Sequence, residues 1–340
     1  MRVAVAGLGY WGPLLVRNLV AMPECSDLFV YDSQESRMKV MTTNYPGVAA
    51  ASSFDELLED PHLDAVVLAT PVETHVELAS KAIAAGKNVL VEKPLATSRA
   101  EADRLIAEAT ESGVLVMAGH TFLYSPAVML VTERLRSGEL GDPIYVHSSR
   151  VNLGIHRSDS SVLWDLGPHD LSILLQWLGE GPVRVSATGL SSLPGRKPDV
   201  AFIYLEFGSG AIANIHMSWL APTKLRRTML VATRKMVVYE DTNAEEPVKI
   251  YDKGVDLPDP TSFGEHQVQY RTGDVVSPRV ESWEPLRREL EHFLARVANG
   301  ETPSDPERKA ATIVGVIEAA EHSLRNRGVP VDIAPSWEPG

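Results

Sequence analysis

The chain opens on a short apolar run, "RVAVA", that breaks into a glycine turn, "GLGYWG". Leu14, Leu15, Asn18 and Leu19 then recur at helical spacing, so a helix follows the turn. The next apolar run, "LFVYD", reads as a strand ending in an acid. "SFDELLED" reads as a helix with Ser53 at the N-cap and Glu56 at the capping-box position. "DAVVLATP" is nearly continuous in apolar residues, as a strand covered on both faces should be. "THVELASKAIAAG" and "TSRAEADRLIAEATESG" read as helices stopped by Gly86 and Gly113, separated by the strand "NVLVEKP". "VLVMAG" closes this series of alternating elements near residue 120. Strands alternating with helices of ten or so residues predict βαβ units and a parallel sheet.

The pattern then changes. One helix, "PAVMLVTERLRSGEL", is followed from about residue 143 by β-type runs such as "IYVHSSRVNL", "VRVSATGL", "VAFIYLEF" and "AIANIHMSW". "FGSGA" between two of them signals a hairpin. The helix "DLSILLQWLG" lies among the strands, and two helical patterns, from "EPLRRELEHF" and "PERKAATIVG", close the chain. Residues 254–282 are rich in Pro, Gly and Asp and show no period. The expected fold is α/β: a doubly wound domain over 1–120, and over 121–340 an α+β domain on an open, mostly antiparallel sheet.

A length of 340 residues supports two domains rather than one core. The net charge of −13, with more acids than bases in both parts, argues against a nucleic-acid surface. Cys25 is the only cysteine, which excludes an internal disulfide and a cysteine-based zinc site within one chain. The ten histidines form no HxH or HxxxH pair, so no metal is expected. The start has no secretory h-region and no run is long enough to span a membrane; the expectation is a cytoplasmic protein.

Gly7-x-Gly9-x-x-Gly12 lies between the first strand and the first helix, with Asp32 at the end of the second strand. Gly7 permits the tight turn, Gly9 lets a pyrophosphate approach the backbone, and Gly12 lets helix and strand pack closely. The helix N-terminus offers free N–H groups to phosphates, and Tyr10 and Trp11 sit within the loop. Asp32 would accept from ribose hydroxyls and repel a 2′-phosphate, which favours NAD; Arg37 nearby leaves NADP open. The alternative for Asp32 is a turn cap. "VEKPL" places Lys93 directly after a strand, where ligands bind in open α/β sheets. Taken alone, a lysine there is equally a solvated surface residue.

"LWDLGPHDL" admits two readings. Asp165 is a good N-cap, with Leu166, Gly167 and Pro168 in the first turn and His169 a half-exposed helix residue. Equally, a spacing of i and i+4 brings Asp165 and His169 to one helix face, where the carboxylate would orient the imidazole and favour its protonated form.

Together, "GLGYWG", "ATPVETH", "VEKPL" and the Asp-x-x-x-His of "WDLGPHD" resemble the glucose–fructose oxidoreductase / inositol dehydrogenase / rhizopine catabolism (Gfo/Idh/MocA) family over nearly the whole chain. "GHTFLYSPAV" and "EPLRRELEHFLARVANGETP" look most like its sugar-nucleotide and cyclitol oxidoreductases. The resemblance implies an N-terminal Rossmann domain and a C-terminal sheet that serves oligomer contacts, giving a dimer or tetramer. It matches Lys93, Asp165 and His169 to the family's catalytic residues, and Thr70, Pro71, His75 and Glu92 to its cofactor site. One departure bears on substrate. The inositol dehydrogenases carry an arginine in the segment matching "GHTFLYSP", this chain has none, and that counts against myo-inositol itself.

The expected chemistry is reversible oxidation of a ring secondary alcohol on a sugar, sugar nucleotide or cyclitol. His169 or Lys93 moves the proton and Asp165 orients the group beside it. Tyr124, His147, Arg150, Asn152 and His156 are the expected substrate contacts, and Arg226 or Arg227 would suit a phosphate. The rivals are a sugar–sugar oxidoreductase that keeps NADP bound, and a regulator sensing a sugar or dinucleotide without catalysis.

Overall fold

The computed structural model describes residues 1–154, 160–256 and 269–333. Its first sheet contains β1 (Arg2–Ala6), β2 (Asp27–Tyr31), β3 (Val48–Ala50), β4 (Ala65–Leu68), β5 (Asn88–Glu92) and β6 (Val116–Gly119). All pairings are parallel and the order is β3-β2-β1-β4-β5-β6. The order reverses between β1 and β4, and ligands of such sheets bind outside the strands' carboxyl ends at that reversal. The crossovers carry α1 (Gly12–Val20), α2 (Glu35–Asn44), α3 (Phe54–Glu59), α4 (His75–Ala84) and α5 (Arg99–Ser112). Every residue of β4 and β6 is buried, in keeping with their unbroken apolar sequences.

The helix boundaries follow local chemistry. Ser98 caps α5 by accepting from the Glu101 N–H, and Gly113 ends it with a left-handed φ of 67°. Ser53 likewise accepts from the Glu56 N–H, but the Glu56 carboxylate returns to the Ser52 N–H at 2.7 Å rather than to Ser53. The expected capping box is therefore offset by one residue.

The remaining elements, in chain order, begin with α6 (Pro126–Arg136), β7 (Pro143–Val151), α7 (Val162–Leu178), β8 (Pro182–Leu190), β9 (Val200–Phe207) and β10 (Ile212–Ser218). After these come β11 (Leu225–Ala232), β12 (Met236–Glu240), β13 (Val248–Asp256) and β14 (Gln269–Val276). The chain closes with α8 (Pro285–Ala298), α9 (Asp305–Arg325) and β15 (Val331–Asp332). Among the described residues the second sheet has nine strands in the order β14-β13-β12-β11-β7-β10-β9-β8-β15. Only β7 and β10 pair in parallel; the other pairs are antiparallel. The sheet is open and mostly antiparallel, as the sequence predicts. β14 and the last three residues of β13 fall in the stretch read as aperiodic, because antiparallel pairing does not require an apolar period on exposed strands.

The chain forms two compact units, 1–124 with 283–318, and 125–282 with 319–340. The division differs from a cut at residue 120 because α8 returns to the first unit. Leu286, Leu290, Phe293 and Leu294 of α8 join the same apolar core as Val3, Leu15, Leu19 and Met117.

Candidate active site

In the first unit, the glycine loop is fixed by close backbone packing. Gly7 has a φ of 94°, and a Cβ there would lie 2.5 Å from the Ala69 carbonyl oxygen. A Cβ on Gly12 would lie 2.0 Å from the Gly7 oxygen. A Cβ on Gly9 would meet nothing within 4 Å, so its backbone faces open space. The loop therefore fits a pyrophosphate, with α1 starting beside it. Tyr10 is 89% exposed and stacks near Trp11, which is partly buried.

Asp32 is buried and caps the turn after β2. Its Oδ2 accepts from the Leu8 N–H at 2.7 Å, its Oδ1 from the Gln34 N–H at 2.8 Å, and Arg37 Nη1 lies 3.3 Å away. A carboxylate offers about four acceptor positions, so room remains for a ribose hydroxyl. The same side chain thus braces the glycine loop and caps the turn after β2.

After β4, the Thr74 hydroxyl donates to Thr70 Oγ1 at 2.8 Å. His75 is 2% exposed, with its ring nitrogens 2.9 Å from the carbonyl oxygens of Pro94 and Thr70. It ties the loop after β4, which contains Pro71, to the loop after β5. Burial holds its pKa below the ordinary histidine value. His75 thus acts on this region through the two loops it joins.

Glu92 ends β5 and Lys93 follows, with a cis bond to Pro94. The Lys93 N–H donates to Glu92 Oε2 at 3.3 Å. The Glu92 carboxyl packs on Gly119 of the neighbouring strand, where a Cβ would lie 3.3 Å from its Cδ. Burial pushes the Glu92 carboxyl up to about 7, against the opposing pull of the Lys93 charge. His120, next along, is 6% exposed and pushed down to about 4 by burial and then by Lys93. It is therefore neutral at neutral pH. Tyr124 is the last residue of this first unit before Ser125 opens the second, and its hydroxyl pairs with His292 Nδ1 of α8 at 2.7 Å.

In the second unit, α7 begins at Val162 after Ser161. Asp165 is thus one turn inside the helix and not its N-cap, and Pro168 lies in the helix interior. The Asp165 N–H already bonds the Ser161 carbonyl at 3.0 Å, which extends the helix beyond the expected start. The Asp165 carboxylate remains near the positive helix end and accepts from Trp219 Nε1 at 3.3 Å. His169 is one turn further on, on the same face of the helix and partly buried.

β7 and β10 end together beside this turn. The Asn152 N–H donates to the Ser218 carbonyl at 3.0 Å. Asn152 and Trp219 side chains flank Gly154, where a Cβ would lie 3.3 Å from the first and 3.1 Å from the second. Asn152, Asp165 and Trp219 are thereby gathered at one end of the sheet. Trp219 was not singled out by sequence; its position directly after a strand, in "HMSWL", is the available signal.

Two expected substrate contacts are elsewhere. Arg150 is 4% exposed and its Nε bonds Asp170 of α7 at 2.7 Å, so its guanidinium is committed to a buried pair. His147 points to the opposite sheet face, because side chains alternate along β7, and it bonds Asn214 Oδ1 at 3.2 Å. Arg226 is held by Asp241 at 2.9 Å, whereas Arg227 is exposed. His156 lies outside the described residues.

A parallel sheet with this glycine loop and an acid after its second strand defines a dinucleotide-binding unit, here in one chain with a unit built on an open nine-stranded sheet. That is the construction of a two-domain NAD-dependent oxidoreductase. Residues 1–120 match the oxidoreductase family with an NAD-binding Rossmann fold, and residues 128–238 match the GFO/IDH/MocA C-terminal domain. The chain is 28% identical to scyllo-inositol 2-dehydrogenase (NAD(+)) of Bacillus subtilis (strain 168), over 98% of this chain and 96% of that protein. It is 32% identical to UDP-N-acetylglucosamine 3-dehydrogenase of Acidithiobacillus ferrooxidans, over 67% of this chain and 70% of that protein. The structure of GenD2 from gentamicin A biosynthesis in complex with NAD superposes with a TM-score of 0.81 at 28% identity, covering 98% and 96% of the two chains. The chain belongs to the Gfo/Idh/MocA family of oxidoreductases.

Proposed function

We propose that the protein is an NAD-dependent dehydrogenase that interconverts a ring secondary alcohol and a ketone on a cyclitol, sugar or sugar nucleotide. The observation that carries this reading is Lys93 at the carboxyl end of β5, in the same sheet as the open Gly9 backbone and the pinned Asp32. Bound NAD supplies the hydride acceptor and donor. Gly7, Gly9 and Gly12 hold its pyrophosphate against α1, and Asp32 holds the adenosine ribose. Lys93 donates to the substrate oxygen and offsets the charge that develops there. His169 takes the hydroxyl proton, and Asp165, fixed by Trp219, orients the imidazole through the shared helix face. Asn152 lies at the same end of the sheet and is the best placed of the remaining expected substrate contacts.

Cyclitols and sugar nucleotides are the substrates in the names of the relatives, and this chain follows them in class. The missing arginine in "GHTFLYSP" directs the choice away from myo-inositol. The protein works as an oligomer in the cytoplasm on this reading. Its test is NADH fluorescence titration, followed by turnover on cyclitols, sugars and sugar nucleotides with Lys93→Ala and His169→Ala. Each substitution should lower kcat by about a hundredfold or more while NADH still binds. Parent-like turnover in both variants refutes the assignment, and tighter binding of NADPH than NADH refutes the role of Asp32.

A further inference from the structure

The helix that carries Asp165 and His169 is tied to the sheet of the second unit by a buried polar cluster that the chemistry above does not use. β7 lies mid-sheet between β11 and β10. Alternation along it sends Ser148 and Arg150 to the face that α7 covers, opposite to His147. There Asp170, the residue after His169, accepts from both. Arg150 donates from Nε to Oδ2 at 2.7 Å and from Nη2 to Oδ1 at 3.4 Å. The Ser148 hydroxyl donates to Oδ1 at 2.8 Å, and Thr228 Oγ1, directly across the β7–β11 pairing, lies 2.9 Å from Ser148 Oγ. All four side chains are buried.

Stability is a poor reason for such a cluster. Taking two charges out of water offsets most of their attraction, and apolar residues of similar size in the same place are often as stable or more so. The surroundings would accept them, since Ile173, Leu174 and Trp177 of α7 and Val146 of β7 are buried apolar side chains. What the ion pair adds is direction. Apolar contact is non-directional, whereas a forked guanidinium on a carboxylate fixes both distance and angle. The need for direction is local. Pro168 lies inside α7 and has no N–H, so the turn that ends next to His169 lacks one backbone hydrogen bond. Successive helix residues are about 100° apart around the axis. Holding Asp170 against β7 therefore also fixes the direction in which His169, immediately before it, leaves the helix.

We propose that Arg150 and Asp170 are positioning residues: their buried pair sets the rotation of α7 on β7, and with it the aim of the His169 imidazole beside Asp165. Both act through the helix, and Ser148 completes the set of donors. The proposal rests on the role of His169 given above.

The test uses the full-length protein with Arg150→Met and Asp170→Leu combined, so that no unpaired charge is left behind. Denaturant unfolding should show that this variant is folded, with a midpoint at or above that of the wild type. NADH should bind with unchanged affinity. On the member of the cyclitol, sugar and sugar-nucleotide panel that the wild type turns over, kcat should fall by about tenfold or more while KM stays within about threefold, because a misaligned base costs the chemical step. The His169 ring signal in the histidine side-chain NMR spectrum, assigned by its loss in His169→Ala, should move, while that of His75 in the first unit stays in place. An unchanged kcat or an unmoved His169 signal in the folded variant marks the pair as a stabiliser only and overturns the proposal. If the double variant does not fold, Ser148→Ala decides, because it removes one donor to Asp170 and neither charge. It should lower kcat by about threefold and move the same signal; an unchanged kcat or an unmoved signal overturns the proposal there too. If His169→Ala turns over substrate like the parent, the catalytic role of His169 fails, and the ring signal alone decides whether the pair holds it.

Discussion

At residue scale, the steepest constraint on the nucleotide loop is steric. Gly12 faces the carbonyl of Gly7, a backbone atom that has no rotamer by which to move aside. Gly12→Ala should therefore shift the loop and weaken NADH binding by about tenfold or more, close to 1.4 kcal/mol. A fluorescence titration with unchanged affinity would refute this. Asp32 shows how one carboxylate fills two roles, since Leu8 and Gln34 use two of its acceptor positions and leave others open. Arg150 shows the reverse, because Asp170 and burial remove from the substrate list a cation that the sequence left available.

Among the elements, α8 determines where the first unit ends. Its apolar positions Leu286, Leu290, Phe293 and Leu294 repeat at three and four residues, and Glu289 falls inside that stripe. Phe293 is fully buried in the core that includes β1 and α1. Phe293→Ala should cost about 3–5 kcal/mol in chemical denaturation. A loss below about 1 kcal/mol would mean that α8 is peripheral to this core. α7 makes the complementary point, since its early start at Val162 places Asp165 and His169 one turn apart inside a formed helix.

For the whole molecule, stability should depend on pH through buried groups rather than through the surface charge. His120 titrates at about 4 when folded and near 6.5 when unfolded. Between these values the unfolded chain holds a proton that the folded chain does not, so stability falls as pH drops through this window. The loss should approach about 3 kcal/mol near pH 4 from this residue. His120→Gln should lose correspondingly less than the wild type between pH 7 and pH 4, measured by denaturant unfolding. Equal losses would contradict burial of a neutral imidazole. No helix among the described residues is long and apolar enough to cross a membrane.

By itself the sequence determined the alternation of strands and helices, the glycine loop with Asp32, the cap at Ser53, and the change to an antiparallel sheet. Each of these depends on neighbours a few residues away, or on a period set by the backbone. The placement of Lys93 after a strand, and of Asp165 and His169 on one helix face, was also readable, because a strand end and an i, i+4 spacing are local features. The tertiary structure decided the rest. It returned α8 to the first unit, assigned Arg150 to Asp170 and His147 to the opposite face, and joined Trp219 to Asp165. It also placed Glu289 beside Thr121, 168 residues away in the chain. Burial and partnership across such separations are not encoded in any local pattern, and they decide whether a charged side chain is a brace or a ligand contact.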